Sequence, residues 1–130
     1  MNLLLDTHIF LWYISADKKL SQNIQDEIRN PDNQIYLSII SLWEIIIKHQ
    51  IGKLPLPRSP QLFIPQERQR HQIASLDLDE ASVRYLAELP HLHRDPFDRM
   101  LICQAKANQM TLVTFDNAIL QYPVTVLSHS

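Results

Sequence analysis

The sequence predicts an α/β fold in which helices cover both faces of a central, mainly parallel sheet. The first observation is that short apolar segments, such as Leu3-Leu4-Leu5 and Leu112-Val113, alternate along the chain with longer segments of helical pattern. The second is that 130 residues with 45% hydrophobic and 20% charged side chains suit one well-packed domain, residues 1–130. Parallel sheets of this kind are buried on both faces.

The elements follow in order from their apolar pattern and from the residues at their ends. The expected strands are Asn2–Leu5, Gln34–Ser38, Ile73–Ser75, Thr111–Thr114 and Val124–Leu127. The expected helices are about Thr7–Ser15, Ser21–Asn30, Leu42–Ile51, a segment ending near His71, Leu78–Leu89 and Pro96–Asn108, with a turn or short helix from Asp116. A proline-rich loop, Lys53–Pro60, separates the two halves of the chain.

Particular residues set several of these boundaries. Pro31 ends the second helix, and Ser41 is expected to cap the third, with Glu44 completing a capping box. Gly52, the only glycine, directly follows the third helix, where a left-handed residue is favoured. Asp95 followed by Pro96 is a typical helix start.

The composition excludes several classes of function. One glycine cannot build a glycine-rich phosphate loop, and a formal net charge of −2 counts against a sequence-specific DNA-binding protein. Cys103 is the only cysteine, so an intrachain disulfide is impossible and a reducing cytoplasm is the expected location. Asp6 interrupts the first apolar stretch, so neither a signal sequence nor membrane association is expected.

Acidic residues lie where several strands end. Asp6 directly follows the first strand, Asp116 follows Thr111–Thr114, Glu44 lies one turn into the third helix, and Asp95 and Asp98 open the helix at Pro96. In open parallel sheets, ligands bind beyond the carboxyl ends of the strands. Clustered carboxylates repel one another unless a cation is present, and their oxygens suit Mg²⁺ or Mn²⁺. A metal site for phosphodiester hydrolysis is one interpretation.

Each acid also has a purely structural interpretation. Asp6, Asp95 and Asp116 could cap the helices that follow them, and Glu44 could bond back to the Ser41 amide. The sequence alone does not show that these carboxylates meet.

A set of motifs in the same order along nearly the whole chain resembles the PIN-domain toxins of the VapC type. The set comprises Leu3-Leu4-Leu5-Asp6-Thr7-His8, Trp43-Glu44-Ile45, Gly52-Lys53-Leu54, His93-Arg94-Asp95-Pro96-Phe97-Asp98-Arg99-Met100-Leu101-Ile102, Gln104-Ala105, Leu112-Val113-Thr114 with Asp116, and Tyr122 with Val124. The block from Asp95 to Arg99 is the most specific.

The resemblance implies a three-layer α/β/α sandwich and a Mg²⁺-dependent endoribonuclease, in which Mn²⁺ can substitute. It also implies a small antitoxin partner in a type II toxin–antitoxin system. Asp6, Glu44 and Asp98 resemble the acidic triad, with Asp6 and Asp98 as direct metal ligands and Glu44 acting through a metal-bound water or on a second ion. Asp116 resembles a fourth, more variable acid. Asp95 resembles a helix cap or supporting group. Phe115 departs from the family pattern, which has a polar residue before the fourth acid.

Basic, hydroxyl and aromatic residues near these motifs are further candidates. Arg94, Arg99 and Lys48 are the best candidates for substrate phosphate contacts, although a solvated surface, or for Lys48 a helical pair with Glu44, explains them as well. The Thr7 hydroxyl could support the metal site. His91 and His93 are better explained as part of a surface loop, since regular zinc-ligand spacing is missing.

Trp12 and Trp43 could stack on RNA bases, although packing in the core or at an interface is the better interpretation of both. The very apolar first helix could serve a homodimer or antitoxin interface, or could pack inside the core of the chain.

Other functions with a strand-end aspartate fit less well. A haloacid-dehalogenase-type phosphotransferase needs a second Asp two positions after the first, where this chain has His8. A receiver-like domain needs its Asp after the third strand, where only the isolated Asp77 is found. A non-catalytic PIN-like module that binds RNA or protein stays open, but the intact acids argue against it.

Overall fold

Five parallel strands form the central sheet. The computed structural model describes residues 1–128, and its strands are β1 (Asn2–Leu5), β2 (Gln34–Ser38), β3 (Ala74–Leu76), β4 (Thr111–Val113) and β5 (Val126–Leu127). The strand order is β3-β2-β1-β4-β5, and every neighbouring pair is parallel. The register pairs Leu3 with Ile35 on one side and with Thr111 on the other.

The helices alternate with the strands as expected. They are α1 (Thr7–Ile14), α2 (Gln22–Arg29), α3 (Ile39–Gln50), α4 (Pro60–Arg70), α5 (Glu80–Tyr85), α6 (Pro96–Ala107) and α7 (Asn117–Leu120), with a 3₁₀ turn at Leu86–Glu88. Within residues 1–128, no helix is both long and apolar enough to span a bilayer.

Three predicted elements have boundaries that differ from the structure by more than one residue. The helix α3 begins at Ile39 because β2 runs into it without a loop, and its cap is Ser38, whose Oγ accepts from the Ile40 N–H at 3.0 Å. Ser41 and Glu44 therefore lie inside the helix and form no capping box. The helix expected over 78–89 is shorter and ends in the 3₁₀ turn. The strand β5 begins only at Val126, because the Val124 N–H is turned onto the Tyr122 carbonyl at 2.8 Å.

Two apolar clusters cover the two faces of the sheet. Along β1, Leu3 and Leu5 belong to one cluster and Leu4 to the other, which is the alternation that a strand buried on both faces requires. The first cluster is completed mainly by α1, α2 and α4, through Ile9, Phe10, Ile24, Ile28 and Ile64. The second is completed mainly by α6 and α7, through Leu101, Ile102, Ala105 and Ile119. The predicted three-layer α/β/α architecture is confirmed.

The strand order creates a crevice at the middle of the sheet. From the central β1 the chain adds β2 and β3 on one side and then returns to add β4 and β5 on the other. In such sheets, the gap beyond the carboxyl ends of the strands where the order reverses is the usual binding position. The Asp6 N–H donates to the Val113 carbonyl at 2.9 Å, so the ends of β1 and β4 are held together at this point.

Truncating Leu4 tests the burial of the central strand. Leu4 is fully buried, so Leu4→Ala is expected to lower the free energy of unfolding by about 3 kcal/mol. Leu62→Ala is the matched control, because Leu62 is 61% exposed on α4, and its change is expected to stay within about 0.5 kcal/mol. Urea denaturation measures both variants, and equal losses would contradict the assignment of β1 to the core.

Candidate active site

Asp6 lies at the crevice between β1 and β4 and is 4% exposed. Its Oδ2 accepts a hydrogen bond of 2.7 Å from the Thr114 hydroxyl, and its side chain does not cap α1. Burial raises the pKa of Asp6, opposed by the Thr114 bond and by His8, and the charges of Glu44 and Asp116 raise it further. The capping interpretation of Asp6 is therefore wrong, and the carboxylate faces other acids.

Thr114 is a site residue that the sequence did not single out. It is fully buried, and its Oγ accepts from the Asp116 N–H at 3.1 Å while its hydroxyl proton goes to Asp6. One side chain thus fixes the Asp6 carboxylate relative to the start of α7.

Glu44 reaches the same crevice from α3 and is 2% exposed. The Thr7 hydroxyl donates to its Oε1 at 2.8 Å and lies 2.9 Å from Ser41 Oγ, while Lys48 Nζ binds its Oε2 at 2.5 Å. Burial lowers the pKa of Lys48, but the hydrogen bond and charge of Glu44, with Asp95 and Asp98, outweigh it and raise the pKa overall. Lys48 therefore stays charged and neutralises one acid of the site.

Asp98 lies in the first turn of α6, is 8% exposed, and accepts a bond of 3.0 Å at its Oδ2 from His93 Nε2. Burial raises its pKa to about 7, with Asp6, Asp95 and Glu44 adding to the rise and the His93 bond opposing it. Asp95 caps the same helix, because its Oδ1 accepts from the N–H groups of Phe97 and Asp98. The structure thus places Asp95 as the cap and support expected from the sequence.

Three side chains bring possible metal-ligand atoms close together. Among the described residues, His93, Asp98 and Asp116 each offer one donor atom within 4.8 Å of the others. The side chain of Asp116 also caps α7, accepting from the Ala118 N–H at 2.9 Å. Asp6 and Glu44 lie outside this closest group but interact with it electrostatically. Direct ligation by Asp6 and Asp98 therefore stays a prediction.

His93 is a site residue that sequence reasoning assigned to a surface loop. His91 is exposed as expected, but only 25% of the His93 side chain is exposed and its ring is directed at Asp98. The helix start at Asp95-Pro96 could have indicated this position of His93. A loop residue just before a helix cap can fold back over the first turn of the helix, where Asp98 lies.

The three candidate phosphate contacts differ in their surroundings. Lys48 is committed to Glu44, whereas Arg94 is exposed and has no ion pair or hydrogen bond among residues 1–128. Arg99 is 7% exposed, and its guanidinium donates to the Pro90 carbonyl and to the Tyr122 hydroxyl, both at 3.0 Å. These bonds give Arg99 a structural role in place of the expected phosphate contact.

The donor set fits a hard divalent cation. The carboxylate oxygens of this group suit Mg²⁺ or Mn²⁺, and the single imidazole, with no sulfur ligand in the group, is too little for a structural zinc site. Burial first, and the neighbouring acids second, raise the pKa values of Asp6 and Asp98, so both effects disfavour their charged forms. A cation would compensate for both effects.

The chain belongs to the PIN domain family, whose model matches residues 3–124. Within that family it is similar to Ribonuclease VapC16 of Mycobacterium tuberculosis, with 35% identity over 54 residues, which span 42% of this chain and 38% of that protein. Among solved structures it is similar to VapBC2 from Rickettsia felis bound to a promoter DNA fragment (TM-score 0.75, 21% identity, 98% of both chains). It is also similar to DNA-bound VapBC from Salmonella typhimurium (TM-score 0.73, 17% identity, 98% of both chains). These structures confirm the fold.

The raised pKa of Asp98 predicts a stability that falls with increasing pH in metal-free protein. Folded Asp98 holds its proton up to about pH 7, against 3.8 for the free group, so the folded state binds more protons between these values. We expect the free energy of unfolding in EDTA to fall by about 2 kcal/mol across this window, roughly half of what the full shift would give, because solvent screens part of the interaction. Asp98→Asn should remove most of that slope, leaving the part due to Asp6.

Urea denaturation at several pH values between about 4 and 8 measures the slope. The exposed Asp32, in the turn before β2, provides the matched control Asp32→Asn, which should keep the wild-type slope. An unchanged slope in Asp98→Asn would contradict the proposed burial of this carboxyl group.

Proposed function

We propose that this chain is a metal-dependent endoribonuclease and acts as the toxin of a type II toxin–antitoxin pair. The observation that supports this most strongly is the convergence of Asp6, Glu44, Asp98 and Asp116 on one crevice of a PIN fold. The name of the M. tuberculosis relative supports ribonuclease activity, although the similarity covers only part of both proteins. The acids are intact, which disfavours the alternative of a non-catalytic module that binds RNA or protein.

Asp6 and Asp98 would bind Mg²⁺ or Mn²⁺ directly, and Asp116 and His93 would offer further ligand atoms within 4.8 Å of that of Asp98. Glu44 would act through a metal-bound water or on a second ion. When bound, such an ion supplies activation of water, orientation of a phosphodiester and compensation of charge on the leaving oxygen. The protein groups keep the carboxylates in place for this. Thr114 fixes Asp6, while Thr7 and Lys48 fix Glu44.

Arg94 is the remaining candidate for a phosphate contact, because it is exposed on the loop next to His93 and has no partner within residues 1–128. A guanidinium binds phosphate oxygens through two parallel hydrogen bonds. It would position the RNA backbone without reading its sequence.

We propose a small antitoxin as the protein partner and the cytoplasm as the location, with a homodimer as the assembly. The two similar structures are described as VapBC complexes. In this chain, Leu11 and Ile14 on α1, with Leu54 and Phe63, line an apolar cleft of about 460 Å³ that a partner segment could fill. The first helix was expected either to pack in the core or to form an interface. In α1, Ile9 and Phe10 are in the core, while the residues from Leu11 to Ile14 are only partly buried and are available for an interface.

Cleavage of RNA by the isolated protein tests the proposed activity. Purified chain should cut a pool of single-stranded and structured RNA in Mg²⁺ or Mn²⁺ and not in EDTA. Asp98→Asn should lower the rate about 100-fold or more, because it removes a charged donor from the metal group. A single-stranded DNA pool, run in parallel, separates ribonuclease from general nuclease activity.

Asp32→Asn is again the matched control and should cut at the wild-type rate. Metal-independent cleavage, or equal rates for Asp98→Asn and wild type, would contradict the proposal. A folded protein that binds RNA but does not cut it would instead support the non-catalytic module.

A further inference from the structure

The Tyr122 hydroxyl joins two segments that lie far apart in the sequence. Tyr122 follows α7 and is 4% exposed, and its Oη accepts two hydrogen bonds. The Leu92 N–H donates one at 3.1 Å, and the Arg99 guanidinium donates the other at 3.0 Å. Arg99 also donates to the Pro90 carbonyl at 3.0 Å. These three bonds hold the loop of residues 89–95, which leads into α6, against the residue that follows α7.

Both of the joined segments carry a group of the site. The loop carries His93, whose Nε2 lies 3.0 Å from Asp98 Oδ2, and Asp116 caps α7. The short helix α7 then connects Asp116 to Tyr122, whose N–H donates to the Ile119 carbonyl at 3.0 Å. A bond from Tyr122 to the loop therefore fixes Asp116 relative to His93. The possible ligand atoms of His93, Asp98 and Asp116 lie within 4.8 Å of one another.

Arg99 makes this connection at a cost in stability. It is 7% exposed, and within residues 1–128 it forms no ion pair with a carboxylate. A buried charge without an ionic partner is unfavourable, and an apolar side chain of similar size would remove that cost. The guanidinium is bonded instead to a loop carbonyl and to the tyrosine oxygen. This pattern of bonds indicates that Arg99 serves the position of the loop.

We propose that Tyr122 is a positioning residue for the metal-binding group, and that it acts with Arg99 by holding the loop of residues 89–95 at the crevice. The proposal rests on the proposed metal-dependent function and adds a residue outside the crevice that sets the spacing of its ligands. Removing a group that orients metal ligands lowers metal affinity or activity by about 10- to 100-fold. The same loop carries Arg94, so the proposed phosphate contact depends on Tyr122 as well.

Hydrogen exchange measures the position of the loop directly. Tyr122→Phe removes only the hydroxyl and keeps the ring in the second apolar cluster. The Leu92 amide should then exchange faster, while the amides of Leu101 and Ile102 within α6 keep their wild-type rates. Tyr85→Phe is the matched control, because Tyr85 packs against the same cluster and its hydroxyl has no hydrogen bond within residues 1–128.

Metal affinity is measured without RNA, by following free Mn²⁺ with electron paramagnetic resonance. Tyr122→Phe should weaken Mn²⁺ binding roughly tenfold, and Tyr85→Phe should leave it unchanged. Arg99→Met is a second variant, which removes both guanidinium bonds together with the buried charge. It should weaken Mn²⁺ binding in the same way without lowering the free energy of unfolding, measured in urea. It also carries the test if Tyr122→Phe does not fold.

A double-mutant cycle separates positioning from a general loosening of the fold. In the wild-type background, Tyr122→Phe should lower kcat/KM for RNA roughly tenfold. In a protein that already carries His93→Ala and Arg94→Ala, it should have little further effect on kcat/KM or on Mn²⁺ affinity, because the groups through which it acts are gone.

The outcomes distinguish this proposal from the function on which it rests. If folded Tyr122→Phe and Arg99→Met keep the wild-type Mn²⁺ affinity while the wild type cuts RNA, the positioning role is wrong and the nuclease stands. Equal losses from Tyr122→Phe in both backgrounds of the cycle would show a loosened fold and overturn the proposal. If the wild type neither binds Mn²⁺ nor cuts RNA, both proposals fail.

Discussion

Repulsion among carboxylates that share one buried crevice is the constraint on which the rest of this structure depends. Asp6, Glu44 and Asp98 are each less than one-tenth exposed, and burial, together with the charges of the other acids, raises the pKa values of Asp6 and Asp98. The chain compensates this charge only in part. Lys48 pairs with Glu44, Thr7 and Thr114 donate hydrogen bonds, and His93 bonds to Asp98. A divalent cation, as we propose, would compensate the remaining charge.

The fold brings these acids together through topology and not through sequence proximity. Because β1 is central and the chain crosses from β3 to β4, residues 6 and 116 lie at the ends of adjacent strands. Glu44, in the second turn of α3, and Asp98, in the first turn of α6, reach the same crevice. The apolar clusters on both faces bury these strands, so the free energy gained in the core offsets the cost of burying the acids.

The fold and the positions of the acids could be predicted from local pattern. Strand and helix alternation was enough to predict a parallel sheet, and the carboxyl-end rule was enough to predict where Asp6 and Asp116 would lie. The boundary errors, such as the cap at Ser38, arose where one element runs directly into the next and leaves no turn residues in the sequence.

The errors within the site have a different cause. The roles of His93, Thr114 and Arg99 depend on contacts between segments far apart in the chain. Arg99 looks like a phosphate ligand in sequence because its neighbours are acids, yet its guanidinium is bonded to Tyr122, 23 positions away. No local pattern contains that contact. For Trp43, the 56% exposure excludes packing in the core of the chain and leaves packing at an interface as a prediction.

The location of bound metal tests the central claim most directly. Crystals of the chain grown in Mn²⁺ and measured near the manganese absorption edge should show an anomalous peak within coordination distance of the Asp98 and Asp116 carboxylates. Crystals of Asp98→Asn should show that peak weakened or lost. Well-ordered wild-type crystals with no peak in the crevice, or with manganese only at other surface acids, would contradict the account.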